Sequence, residues 1–231
     1  MLTTMPKNDI LAFDIETTGL DASIDLVTVA AIFDGESATS FRFVDISEDG
    51  GSLHYTDEGM LQLSAFCEAL DNAPYLAAFN GVKFDIPFLA TAFKLPTAQC
   101  ASWVFKCLDI FEICKTVQSR TFGLNMLLSL NGFESKTGSG ANAVHQAYSG
   151  QFDELEAYCI DDAKLTHSVS TQSCIALPAD YTWRKNHPKL LSDAQCTLHL
   201  LVSRDPNTGA FSPFEFHLRE LHHPERACKS Q

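Results

Sequence analysis

The chain of 231 residues has little positive charge: 16 Lys and Arg stand against 29 Asp and Glu, a formal net charge of −13. Duplex binding over a broad surface depends on cations that neutralise phosphates, so this balance argues against a broad basic surface for long duplexes. The shortage is uneven. Residues 1–100 hold only Lys7, Arg42, Lys83 and Lys94 against 15 acids, whereas from Arg184 onward seven basic residues and five of the eight histidines accompany five acids. An acidic body with a mildly basic tail can still handle nucleic acid through metals and a short groove.

Long apolar runs are also missing. None approaches the roughly 20 residues of a membrane span, and Met1–Asp9 lacks the basic and apolar regions of a signal peptide. These absences predict an intracellular, cytoplasmic chain with no membrane partner. The eight cysteines form no C-x-x-C pair, which argues against a zinc cluster or a disulfide framework and predicts reduced, packed thiols. There is no internal repeat and no long low-complexity segment. Hydrophobic residues at 45% and charged residues at 19% describe a globular protein with room for one full core and an appendage.

The elements follow from periodicity. Ile10–Glu16 reads as a buried strand, Asp25–Phe33 as a β-branched strand ended by Asp34-Gly35, and Ala38–Val44 as a half-exposed strand. Three strands on short turns predict an antiparallel start. Asp57–Leu70 has helical spacing with Met60, Leu61, Leu63, Phe66, Cys67 and Leu70 inward. A strand at Tyr75–Phe79, a helix at Phe84–Phe93, a strand within Trp103–Ile110 and a helix near Phe111–Val117 follow. Short helices at Leu124–Leu130 and Ala141–Tyr148 precede a longer one at Phe152–Val169. Strands first and alternation afterwards predict an α/β fold, a mixed β-sheet flanked by α-helices. Beyond residue 170 the pattern weakens. Leu190–Val202 has the length of one helix, and Asp205–Gly209 reads as a turn between two strands.

What is present is acid in unusual places. On a strand, residues i and i+2 share a face, so Asp14 and Glu16 stand side by side at the end of an apolar strand. Paired buried anions need a cation, and oxygen ligands suit a hard divalent metal. Asp85 follows a second buried strand near a helix start, where a capping Asp is also common. On the long helix, Tyr158 and Asp162 are one turn apart and share a face, while Asp161 is rotated away from them.

Taken in order, Asp14-x-Glu16-Thr17-Thr18-Gly19-Leu20, Asn80-x-x-x-Phe84-Asp85 and Tyr158-x-x-x-Asp162 resemble the motifs of the DEDD exonucleases of the ribonuclease H-like superfamily. Tyr158 marks the Tyr-containing (DEDDy) subgroup; the His-containing subgroup would have histidine where Ala157 stands. Tyr158-Cys159-x-x-Asp162 is most similar to stand-alone relatives of the B-family polymerase proofreading domain. The resemblance covers about residues 8–170, which leaves 171–231 as a C-terminal extension. It implies a ribonuclease H-like sheet with two Mg2+ or Mn2+ ions, and 3′–5′ hydrolysis of DNA or RNA that releases nucleoside 5′-monophosphates. By the same resemblance Asp14 bridges both metals, Glu16 and Asp162 complete the coordination of the first metal, and Asp85 holds the second metal through water. Tyr158 orients the attacking water. Asn80, Thr17 and Leu20 are substrate contacts, the partners being single-stranded 3′ ends and a polymerase or repair protein.

Other features have plainer readings. Lys136-Thr137-Gly138-Ser139-Gly140 lacks Walker spacing and reads as a connector. His145 and His167 read as packing or hydrogen-bonding residues, and Trp103, Phe105 and Phe111 as core. Cys196-x-x-His199, with His222, His223 and Cys228 beyond it, has a partial zinc spacing but reads as packing within an apolar helix. The rival function is a catalytically weak binding or scaffold module on the same fold; missing acids would support it, and none is missing. A ribonuclease H-type endonuclease is disfavoured by the Tyr-bearing helix and by the Thr-Thr-Gly-Leu that follows Glu16.

Overall fold

Ile10–Thr17 is apolar on both faces up to Ala12, as befits a strand placed inside a sheet. The computed structural model describes residues 2–3, 7–48, 50–118, 122–136, 138, 140–172, 174–177, 196–203 and 215–220. Its strands are β1 (Leu2–Thr3), β2 (Ile10–Thr17), β3 (Val27–Phe33), β4 (Ala38–Arg42), β5 (Val44–Ile46), β6 (Leu53–Tyr55), β7 (Tyr75–Ala78), β8 (Cys107–Asp109), β9 (Cys174–Leu177), β10 (Cys196–Ser203) and β11 (Glu215–Glu220). The helices are α1 (Asp57–Asn72), α2 (Asp85–Ala92), α3 (Thr97–Lys106), α4 (Ile110–Gln118), α5 (Leu124–Leu130), α6 (Gly140–Tyr148) and α7 (Phe152–Ser170).

The central sheet has the order β4-β3-β2-β7-β8. Strands β4, β3 and β2 are antiparallel, and β7 and β8 run parallel to β2. This is the mixed sheet predicted from the strand order, and the ribonuclease H-like arrangement that the motif resemblance implies. Register aligns Asp14 with Ala31 and then Ser40, and Glu16 with Val29 and then Arg42, so these residues form rows on one face. On that face Ser40 donates to Glu156 Oε2 at 2.7 Å, and Arg42 lies over the Phe152 ring. Helix α7 therefore covers it. Phe41, pointing the other way, meets Phe66 of α1 with ring centroids 5.3 Å apart. The acid-bearing face of β2 is the one that α7 shields.

A second sheet has the order β1-β10-β11, with β9 also paired to β10. It joins the chain start to segments beyond residue 170. Ile175 and Leu177 of β9 pack with Leu124, Leu127 and Leu128 of α5 and Val169 of α7. Asn131, just past α5, donates to the Ala176 carbonyl at 2.9 Å and accepts from the Ala176 N–H at 2.7 Å. One side chain thus pairs with β9 as a neighbouring strand would.

Several sequence expectations change. The strand expected within Trp103–Ile110 is present but short, because Trp103–Lys106 ends α3, where Cys100 and Trp103 form the buried stripe and the indole N–H donates to Asp71 Oδ1 at 2.6 Å. Only Cys107–Asp109 of that run is a strand. Phe105 faces outward at 74% exposure instead of filling the core, while Phe111 stacks edge-on against Phe79. Met60 and Leu61 are also exposed, leaving Leu63, Phe66, Cys67 and Leu70 as the inward set of α1. Ala38–Val44 divides, since Val44 leaves the central sheet to pair with Tyr55. Cys196–Ser203, expected as the end of a helix, is a strand held between β9 and β11; pairing on both sides decides an apolar run whose periodicity fits either state. The Asp205–Gly209 turn, His222, His223 and Cys228 lie outside the described residues. His145 is exposed, and His167 is buried edge-on to Phe33.

Gly59 fixes how closely α1 approaches the sheet. A Cβ there would stand 2.2 Å from the Phe43 carbonyl oxygen, against backbone that cannot turn aside. Gly→Ala normally favours a helix by about 1 kcal/mol, but overpacking costs roughly 1–3 kcal/mol. Gly59→Ala is therefore expected to lower stability in denaturant titration; a stabilised variant would contradict this contact.

Candidate active site

The first acids owe their position to the end of β2. The ladder with β3 shifts register between Glu16 and Thr17, a bulge that terminates regular pairing and re-aims the strand end. Thr28 holds this point by donating to the Glu16 carbonyl at 3.0 Å. The Thr-Thr-Gly that follows is cross-braced. Leu26 N–H donates to Thr18 Oγ1 at 2.9 Å, and the Asp25 carboxylate fills the space where a Gly19 Cβ would lie. Thr17 turns its hydroxyl to the Gly19 carbonyl at 2.6 Å. Leu20 then projects from the turn at 86% exposure.

Helix α7 brings the third acid. Asp14, Glu16 and Asp162 each offer an oxygen, and these atoms all lie within 4.8 Å of one another. Glu16 is 9% exposed and Asp162 3%. Cys159, one helical turn before Ala163 on the same helix, donates its thiol to the Asp14 carbonyl at 3.4 Å and reaches Oδ2 at 3.7 Å. This contact ties α7 to β2.

Asp85 is placed differently. It opens α2 and accepts from the Ile15 N–H at 3.1 Å. Ladder pairing between β2 and β7 stops at Ala12 and Ala77, so beyond that point a buried β2 amide needs another acceptor, and Asp85 supplies it. The fourth carboxylate is thereby fastened to the strand between the first two, although it stands outside the group of three.

Asn80 sits in the left-handed region at φ 73°, which Asn tolerates better than most residues. Its N–H and that of Val82 donate to Asp109, each at 2.9 Å. Asp109 also accepts from Phe111 and Glu112 at the start of α4. This one buried carboxylate therefore fixes the 80–82 turn that leads into Asp85. Sequence reasoning passed over Asp109; its only signal was an acid at the end of a buried strand before a helix.

Lys136 was also missed as a site residue. Its Nζ forms an ion pair with Asp162 Oδ2 and lies 5.5 Å from the centroid of the Tyr158 ring. Its N–H is anchored to Asn125 Oδ1 at 2.8 Å. Gly138 permits the chain to pass against Tyr158, whose ring edge would lie 2.9 Å from a Cβ there. The segment read as a connector thus supplies a cation to the site.

Electrostatics follow from crowding acids out of water. Burial, then the charge of Asp162, pushes Glu16 up to about 8. Burial pushes Asp85 up to about 7, despite two backbone N–H donors. Asp14 is raised strongly by burial and then by Glu16, Asp85 and Asp162. Asp162 is raised by burial, with Lys136 opposing. The Tyr158 phenol is raised by burial and then by Asp162, so it remains protonated at neutral pH. Asp162 Oδ1 is buried with no hydrogen-bond partner. An orphaned carboxylate oxygen beside two more carboxylates fits a hard divalent cation, which would displace the held protons.

The RNase H superfamily family model matches residues 11–173, and the chain belongs to that superfamily. Among solved structures it is similar to the family B DNA polymerase of the hyperthermophilic archaeon Pyrobaculum calidifontis, at 15% identity and a TM-score of 0.52. That likeness covers 70% of this chain and 24% of the polymerase chain, and at such identity it concerns the fold. No curated protein matches the chain in sequence. Among the described residues, no helix is long and apolar enough to cross a membrane. A ribonuclease H-like fold with three carboxylates converging at a strand end is the class these observations define.

The raised acids set a sign for stability. Folded Glu16 and Asp85 keep protons up to about 8 and 7, against ordinary values of 4.5 and 3.8. Their contribution is full below the ordinary values and is lost as pH rises through the folded ones. In chelator, the thermal midpoint is expected to fall between about pH 5 and 8.5, and a divalent cation should flatten that fall. A chelated midpoint that rises over this range would contradict the assignment.

Proposed function

We propose that the chain is a divalent-metal-dependent 3′–5′ exonuclease acting on single-stranded DNA or RNA ends and releasing nucleoside 5′-monophosphates. The observation that carries this reading is the convergence of Asp14, Glu16 and Asp162 within 4.8 Å, with Asp85 bound to the same strand and Tyr158 one turn before Asp162. Asp14, Glu16, Asp162 and Asp85 would hold two Mg2+ or Mn2+ ions, Asp14 shared between them. Bound there, the ions would supply Lewis-acid stabilisation of the entering and leaving oxygens and acidify the attacking water.

The remaining work belongs to the side chains. Tyr158, held protonated, is a donor that orients water rather than a base that removes its proton. Exposed Leu20 offers apolar surface to a terminal base, Thr17 contributes backbone, and Asn80 in its constrained turn offers an amide. The net charge of −13 favours short single strands over long duplexes. Family-level likeness and the polymerase fold support a polymerase or repair partner. Residues 171–231 act as a C-terminal extension, and the pairing of Asn131 with β9 gives that extension a part in holding the segment that leads to Lys136.

The test uses 3′- and 5′-labelled single strands with magnesium, manganese or chelator. Stepwise shortening from the 3′ end should require metal and fall on the order of 10³-fold or more in Asp14→Ala. Internal cuts in end-blocked strands, or undiminished activity in Asp14→Ala, would sink the reading. Tyr158→Phe should lower kcat by roughly 10- to 100-fold with metal affinity unchanged. Unchanged turnover would remove Tyr158 from the catalytic set.

A further inference from the structure

Four carboxylates and one ammonium meet at the end of β2. Lys136 pairs with Asp162 Oδ2, and its charge also acts favourably on Asp14, Glu16 and Asp85. The pair is nearly enclosed, with side-chain exposures of 20% for Lys136 and 4% for Asp162. Yet it satisfies only half of Asp162, for Oδ1 remains buried and unpartnered. The same carboxylate belongs to the three-oxygen group suited to a metal. Asp162 is therefore claimed by two cations, one of them built into the chain.

We propose that Lys136 is the internal counter-ion of the metal-free site and that it exchanges with a divalent cation on Asp162. This inference rests on the metal-centre reading above and adds a competitor to it. Without metal, the ammonium limits the repulsion among the buried acids, so the strand end and α7 stay together. A divalent ion that enters among Asp14, Glu16 and the free Oδ1 of Asp162 brings like charge within a carboxylate's width of the ammonium on Oδ2, and this repulsion works against the Lys136 pair. The lysine can yield because its stem is flexible and its charge is compact. The Tyr158 ring, 5.5 Å away, offers a surface along which the ammonium stays stabilised as it leaves. Metal affinity is thus set below what the carboxylates alone would give.

Calorimetric titration of the chelator-treated full chain with MnCl2 tests the exchange. Lys136→Met should bind Mn2+ at least about fivefold more tightly than wild type, and its metal-free thermal midpoint should be lower. Lys136→Arg, which keeps the charge, should remain within about twofold of wild type. Equal or weaker Mn2+ binding by Lys136→Met would overturn the proposal. Should that variant not fold without metal, wild-type protein with 15N-labelled lysine provides the second measurement. Its Lys136 side-chain resonance should shift as Mg2+ is added and should lose its hydrogen-bond signature; an unmoved resonance would overturn the exchange. Wild-type protein that binds no Mn2+ overturns this proposal and the metal-centre reading together. Tight binding that ignores Lys136 overturns this one alone.

Discussion

Repulsion among buried carboxylates is the constraint on which the rest of this structure depends. Asp14, Glu16 and Asp162 come within 4.8 Å of one another in a site largely closed to water. Like charges so placed disfavour ionisation, which is why burial and neighbouring acids raise all of them. Such a group persists in a fold only when other interactions hold its members in place. Those interactions are identifiable here. The β3 and β4 rows carry α7 across the acid face through Glu156 and Phe152, and the Cys159 thiol meets Asp14 directly.

The arrangement separates two kinds of acid. Asp109 and Asp85 each receive backbone N–H groups and so act as structural acceptors. Asp109 accepts four, and these organise the turn from which Asp85 emerges. Among the described residues no backbone N–H donates to the carboxylate of Asp14 or Glu16, and Asp162 leaves one oxygen unpartnered. Acids satisfied by backbone build the frame, while acids short of partners define where a cation belongs. Net charge could not draw this distinction, since both kinds count equally toward −13.

Much of this was legible in the sequence because strands and helices obey fixed periods. The two-residue spacing of Asp14 and Glu16 and the four-residue spacing of Tyr158 and Asp162 each fix a shared face before any fold is known. The antiparallel start was equally readable from three strands on short turns. What escaped depended on pairing between distant segments. Lys136 lies in a glycine-rich stretch with no period of its own, and its backbone is anchored by Asn125, far from it in the chain pattern. The start of the strand within Trp103–Ile110 was not readable locally, because Trp103 reaches Asp71 from the end of a helix and leaves only Cys107–Asp109 to the sheet. Cys196–Ser203 became a strand through partners on both sides, which local pattern does not reveal.

The backbone bond between Ile15 and Asp85 gives the site its unity. Asp14, Ile15 and Glu16 are consecutive, and the amide that holds Asp85 lies between the two acids of the strand. Any displacement of β2 therefore carries Asp14, Glu16 and Asp85 together, while Asp162 follows through Cys159 on the same helix. The four acids behave as one body attached at two points, the strand and α7. Lys136 reaches the site from a segment outside both, on a flexible stem. A rigid set of anions facing a movable cation is the geometry in which an internal charge can give way to an external one without the frame having to move.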